Sequence, residues 1–261
     1  RRIVIPDFSK RKDEIGDLST SLRAMTTALY DRLDAIEAFA ADVAHELKNP
    51  LTSLGTAVQA FERVKDEATR EKLRAVISSD VKRLDRLITD ISAASRIDAE
   101  LSRSEGEPVD LVKLIEGVLD SYRTTQMFSS LSFDFDRPAD PIVINGLPGR
   151  IGQVMRNLVD NAISFSPENG HVVIRLVSRE TGVELTVEDD GPGIPENKLD
   201  AIFSRFYTER PKSEGFGRHS GLGLSISRLI IEAHGGSITA RNRCDEKGVI
   251  KGATFLIKLP K

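Results

Sequence analysis

Four groups of residues in this 261-residue chain combine types and spacings that could do chemistry. His45 stands in Phe39-Ala-Ala-Asp-Val-Ala-His-Glu-Leu-Lys-Asn-Pro-Leu51, beside the carboxylate of Glu46, one helical turn before Asn49 and ahead of Pro50. A neutral imidazole is a competent nucleophile near neutral pH, and an adjacent carboxylate can orient it and take its proton. In Asn157-Leu-Val-Asp-Asn161 two amides four residues apart share one helix face. Amide oxygens are hard ligands suited to Mg²⁺, and amide N–H groups can meet phosphate oxygens. Asp189-Asp-Gly-Pro-Gly-Ile194 places a carboxylate at a strand end, where it could accept the exocyclic amine of adenine. Gly191 and Gly193 there allow torsions and close approaches that a Cβ forbids. Finally, Gly215-Phe-Gly-Arg-His-Ser-Gly-Leu-Gly-Leu224 frees the backbone at Gly221 and Gly223 where a helix begins. Unpaired N–H groups and the positive dipole end favour phosphate at such a place. Each group alone has a plainer reading as surface, cap or turn. In this order they describe a nucleotide site and an acceptor.

These residues need elements to carry them. From Leu18 to Phe61 the apolar positions 18, 22, 25, 29, 33, 36, 40, 43, 47, 51, 54, 58 and 61 advance by three or four, the pattern of one long amphipathic helix. His45 lies off the stripe, so its ring is expected to face outward. Pro50 removes one backbone hydrogen bond and crowds the preceding turn, which predicts a kink. The charged run 64–70 is expected to turn the chain into a second helix with Leu73, Ile77, Val81, Leu84, Leu87, Ile88 and Ile91 on its stripe. A two-helix hairpin is too thin to bury both stripes, and pairing with a second copy into an antiparallel four-helix bundle solves this.

Beyond a polar stretch at 98–108 the texture changes. Helices are predicted at 111–122, 151–165 and 221–234. Strands are predicted at 131–135, 142–144, 171–178 and 183–188, with two more between 237 and 259. The mixture without strict alternation predicts one helical layer on one mixed sheet. The polar, glycine-punctuated run 209–220 reads as a lid. His171 and His234 are assigned structural roles, while His219 lies in the lid within reach of phosphate.

Bulk properties set broad limits. Hydrophobic content of 39% with 30% charged residues is that of a globular protein, and the formal charge of −3 argues against a dedicated nucleic-acid binder. The single cysteine, Cys244, excludes an internal disulfide framework and a multi-cysteine zinc site. No apolar run approaches the roughly 18 to 20 residues that span a bilayer. The chain begins with Arg1, and it is expected to be a fragment whose membrane segments lie outside it.

Taken together, the chain resembles the cytoplasmic part of a bacterial membrane-bound sensor histidine kinase of a two-component system. His45-Glu-Leu-Lys-Asn-Pro50 resembles the family's phospho-acceptor box, Asn157–Asn161 its asparagine box and Asp189–Gly193 its first glycine box. Phe203-Ser-Arg-Phe-Tyr207 resembles the phenylalanine box and Gly221-Leu-Gly-Leu224 the second glycine box. Pro6-Asp7 and Asp13–Leu18 resemble the end of a HAMP signal-relay module. The resemblance implies four regions: the end of HAMP at 1–30, a dimerisation and phosphotransfer hairpin at 31–98, a linker at 99–108, and a Bergerat-type α/β sandwich that binds ATP at 109–261.

It also implies roles. Asp189 would read adenine, Asn161 would hold Mg²⁺, and Asn157 would support the phosphates. Gly191, Gly193, Gly221, Leu222 and Gly223 would shape the pocket. His45 would attack the γ-phosphate, Glu46 would act as base, and Asn49 would position water for dephosphorylation of the regulator. The implied partners are a second copy of the chain and a response-regulator receiver domain. The family's arginine after the box tyrosine is replaced by Thr208, which leaves Arg210 or Arg205 as the γ-phosphate cation. A lysine common three residues after the second asparagine is replaced by Ser164. A nucleotide-sensing scaffold and an ATPase clamp are the competing classes, and neither needs the His45 box.

Overall fold

The computed structural model describes residues 5–9, 11, 13–101, 106–123, 131–207 and 221–261. The chain divides into two compact units, Arg1–Ile77 and Ser78–Lys261, with the boundary inside the second helix.

Helix α1 spans Glu14–Arg63. Asp13 caps it by accepting the Gly16 N–H at 3.2 Å, and Glu14 and Asp17 in the first turn complement the helix dipole. The preceding segment folds back along its first turns. Phe8 N–H donates to Ser19 Oγ, Ser19 Oγ–H donates to the Pro6 carbonyl, and Arg23 donates to the Ile5 carbonyl. The helix continues unbroken through Pro50, whose missing N–H costs it one rung at Glu46. Leu18, Leu22, Met25, Leu29, Leu33, Ile36, Leu51 and Val58 are all exposed along the stripe. A row of large apolar side chains on one helix face is left uncovered by its own chain.

The charged run turns the chain over residues 64–66 only, and α2 occupies Glu67–Leu101. Glu67–Arg70 therefore belong to the helix rather than to the turn, because Asp66 accepts the Thr69 N–H and hydroxyl and opens it as a cap. The start of α2 returns over the end of α1: the guanidinium carbons of Arg70 and Arg74 lie 4.5 and 5.6 Å from the centre of the Phe61 ring.

After α2 come β1 (Glu107–Asp110), α3 (Leu111–Arg123), β2 (Ser132–Asp136), β3 (Val143–Gly146), α4 (Pro148–Phe165), β4 (His171–Arg179) and β5 (Gly182–Glu188). Two short 3₁₀ turns, α5 (Gly223–Ala233), β6 (Ser237–Cys244) and β7 (Ile250–Leu259) complete the fold. β1 and β3 form a small antiparallel pair, and the main sheet runs β2-β4-β5-β7-β6. Among the described residues only β2 and β4 pair in parallel, so the sheet is mixed. Alternate residues of its strands point inward, among them Val172, Ile174 and Leu176 of β4 and Val183, Leu185 and Val187 of β5. Against them α4 buries Ile151, Val154, Met155, Leu158, Val159 and Ala162, the spacing of a single helix face. α3 and α5 complete the layer.

His234 has the structural role expected of it. Its Nε2 accepts the Leu147 N–H at 3.0 Å and its Nδ1 lies 2.7 Å from the Ile230 carbonyl, so a neutral ring bolts the end of α5 to the start of α4. Leu147 caps α4 without a side-chain hydrogen bond, and the imidazole supplies the missing acceptor. Among the described residues, no helix is long and apolar enough to cross a membrane.

Candidate functional site

Where β5 ends, the chain enters the turn Asp189–Ile194 beside α4, β6 and β7. Asp189 is only 4% exposed. Its Oδ1 accepts the Gly191 N–H at 2.9 Å and the Ala253 N–H at 3.0 Å, and its own N–H donates to the Ala253 carbonyl at 3.0 Å. Oδ2 makes no hydrogen bond among the described residues, which leaves one acceptor open to a ligand. Burial holds this carboxyl above the ordinary carboxylate range, and it outweighs the two backbone donors and the charge of Arg243, all of which act downward.

The glycines answer to sterics. A Cβ on Gly191 would meet Asp189 Oδ1 at 2.8 Å and the Phe165 carbonyl at 2.9 Å. Gly193 has φ +77°, and a Cβ there would stand 2.3 Å from Ile250 Cγ2. Gly221, at φ +74°, presses on the backbone of Phe206, itself at φ 60°. That left-handed residue cannot belong to the helix, so α5 begins at Gly223 rather than at Gly221.

Asn157 and Asn161 share a face of α4, but their amides are used differently. Asn157 Nδ2 donates to the Gly223 carbonyl at 2.9 Å and to Ser227 Oγ at 3.2 Å, tying α4 to the first turn of α5. Its N–H groups are thus engaged within the protein, and any support it gives a phosphate comes through α5. Asn161 is half-buried and makes no hydrogen bond among the described residues. Leu222, expected at the pocket, is 1% exposed and packs its side chain into the core. Only its backbone can face a ligand. Gly223 opens α5, where the first N–H groups have no helical partner.

On α1, His45 and Asn49 are exposed, Glu46 is half-buried and Pro50 is buried. The imidazole is thus open to a donor, with a carboxylate as its neighbour. Arg210, Thr208, His219 and the run 209–220 lie outside the described residues. Arg205 and Ser164 are within them, and each already has an interaction.

Three supporting residues escaped the sequence reading. Arg243 Nη2 donates to the Asp189 carbonyl at 3.2 Å, to Asp190 Oδ1 and to the Lys251 carbonyl at 3.1 Å. Asn242 pairs with Ile194 in both directions at 2.7 Å. At Gly252 a Cβ would stand 1.8 Å from the Asp189 carbonyl. Nothing in the run Arg241-Asn-Arg-Cys244 marks these roles, because they arise from strand pairing across more than forty residues.

Two family models match separate stretches of the chain. Residues 35–100 match the family described as His Kinase A (phospho-acceptor) domain. Residues 146–261 match the family described as Histidine kinase-, DNA gyrase B-, and HSP90-like ATPase. The sensor protein ChvG of Agrobacterium fabrum is 55% identical over 98% of this chain, which spans 44% of that protein. The adaptive-response sensory kinase SasA of a Synechocystis strain is 31% identical over 100% of this chain and 68% of its own length. Among solved structures, histidine kinase ThkA in complex with response regulator protein TrrA matches with a TM-score of 0.68 and 30% identity, covering 89% of this chain and 64% of that one. The chain belongs to the sensor histidine kinases of two-component systems.

The burial of Asp189 has a consequence for stability. An acid whose pKa is higher in the folded state contributes stability that is fully present below its unfolded value, about 3.9. That contribution is lost as pH rises through the folded value. Asp189→Asn mimics the protonated form and keeps Oδ1 as an acceptor. The nucleotide-free variant should therefore melt above the wild type at pH 7, with the gap closing in acid. A lower melting temperature at pH 7 in a thermal unfolding scan would show instead that the charge is fully compensated.

Proposed function

We propose that this chain carries the kinase machinery of its parent protein: it binds ATP at the Asp189–Gly193 turn and transfers the γ-phosphoryl group to His45. The observation that carries the reading is the buried Asp189, whose Oδ1 is held by two backbone N–H groups while Oδ2 is left for a ligand. A largely buried carboxylate with one open oxygen, followed by glycines, suits the amine of adenine. The open first turn of α5 suits the phosphates.

The residues divide the work. His45 forms the N–P bond as the bond between the β-bridging oxygen and the γ-phosphorus breaks. ADP leaves, and Glu46 takes the imidazole proton. Gly191, Gly193, Gly221, Gly223 and the Leu222 backbone shape the nucleotide cradle, and Asn157 fixes the α5 turn against it. Arg210 is our choice for the cation at the γ-phosphate. Among the described residues no three His, Cys, Asp or Glu side chains converge on one point. A divalent ion held by one amide and the nucleotide's own phosphates fits that surrounding, and Asn161, whose side-chain amide is not tied to another element as Asn157's is, is our choice for it. Mg²⁺ bound there would neutralise phosphate charge during transfer.

The exposed stripe of α1 supports a homodimer in which two hairpins form a four-helix bundle. A receiver aspartate of a response regulator is the proposed second acceptor, and Asn49, one turn beyond His45, would aim water at the phosphorylated regulator. In the parent protein, residues 1–30 are assigned to the end of a HAMP relay, 31–98 to dimerisation and phosphotransfer, 99–108 to the linker and 109–261 to ATP binding. That parent is taken to be a bacterial inner-membrane protein with this portion in the cytoplasm.

With labelled Mg-ATP the chain should acquire an acid-labile, base-stable phosphoryl group, and His45→Gln should abolish it; label that persists assigns the acceptor elsewhere. Asn161→Ala should lose the Mg²⁺-dependent part of ATP affinity, roughly tenfold or more for one metal ligand, as read by titration calorimetry with and without the ion. Equal affinities would remove Asn161 from the metal. Asn49→Ala should keep autophosphorylation while release of phosphate from the regulator slows, whereas a parallel loss of both would mark a structural role.

A further inference from the structure

The side of the Asp189–Ile194 turn opposite α4 is held by two consecutive residues of β6. Asn242 closes a two-way pair with the Ile194 backbone at 2.7 Å each way. Arg243 spreads one nitrogen over the Asp189 carbonyl, Asp190 Oδ1 and the Lys251 carbonyl. Consecutive strand residues normally point to opposite faces. Here Asn242 reaches Ile194 and Arg243 reaches Asp189 and Asp190, so both serve one loop, just before the β6–β7 pairing shifts between Arg243 and Cys244. Asp190 is fixed from its other side as well, since its Oδ2 accepts the His171 N–H at 2.9 Å.

We infer that Arg243 is a positioning residue of the nucleotide site: from behind the turn its guanidinium holds Asp189 with Oδ2 toward the ligand, and its positive charge keeps that oxygen an acceptor. This rests on the reading of Asp189 as the adenine contact. Among the described residues the charged groups acting on Asp189 are Arg243 from β6 and Asp190 beside it in the turn. β7 contributes the Ala253 N–H and α4 the Phe165 carbonyl next to Gly191, neither of them charged. Among the described residues Arg243 therefore provides the positive charge that opposes both the burial and the negative neighbour. The ion pair with Asp190 is partly open to water, with side-chain exposures of 38% and 29%, so its loss leaves the core of the sheet intact.

The test is ATP binding by the full 261-residue chain, measured by calorimetry from about pH 8 down to about pH 4, beside thermal melting without nucleotide. Wild-type affinity falls in acid as Asp189 takes a proton. Arg243→Gln should weaken ATP binding roughly tenfold at neutral pH, the scale of one charge-assisted hydrogen bond, and should move the acid limb to higher pH. Arg243→Lys keeps the charge and should leave the limb at its wild-type position while recovering part of the affinity. If the limb stays in place in Arg243→Gln, the inference is overturned whatever happens to the melting temperature, since a structural brace alone lowers stability without moving the titration. Asp189→Asn separates the two layers of the argument. Wild-type ATP affinity in that variant removes the adenine role and this inference with it. Loss of affinity in Asp189→Asn with wild-type behaviour in Arg243→Gln removes only the inference.

Discussion

A carboxylate taken out of water loses hydration worth several kcal/mol unless the fold replaces it. At Asp189 most of the replacement is backbone. Two N–H groups converge on Oδ1, one from the next turn and one from β7. For both to reach it, the turn must fold tightly at Gly191 and β7 must run close behind, which its Gly252 allows because a side chain there would strike the Asp189 carbonyl. The β5–β7 pairing that brings Ala253 to this place is continuous from Val183 to Glu188. The antiparallel register of the sheet is therefore a condition for the site.

The first turn of α5 depends on helices. Asn157 locks α4 to the first turn of α5, and His234 locks the last turn of α5 to the start of α4. With both ends joined, α5 presents its open N-terminus at a fixed place along α4, and Asn161 lies one turn further along α4 from that junction. The Asp189 turn and the first turn of α5 thus have separate supports, strands for the first and helices for the second. Phe206 and Gly221, both left-handed, lie close together just ahead of α5.

The helical unit follows a different logic. α1 has good caps, acidic residues in its first turn and Arg63 in its last, but its apolar stripe lies open in the single chain. A long one-sided helix needs a partner surface for most of its stability. The same geometry keeps His45 off the stripe and exposed, so the packing that would cover the stripe leaves the imidazole accessible.

Much of this was legible from residue order, for a physical reason. Helical period, strand alternation and the torsional demands of Gly191, Gly193 and Gly221 are local properties, written into neighbouring residues. The layer of helices on a mixed sheet followed from them, and so did the grouping of Asn157, Asn161 and Asp189 as candidates. Tertiary structure alone decided which atoms remain available there. It turned the Asn157 amide toward α5, sank the Leu222 side chain into the core, confined the turn after α1 to residues 64–66, and brought Asn242, Arg243 and Gly252 behind a turn more than forty residues earlier. Those outcomes depend on strand register and on helix contacts between distant segments, and no short stretch of sequence contains them.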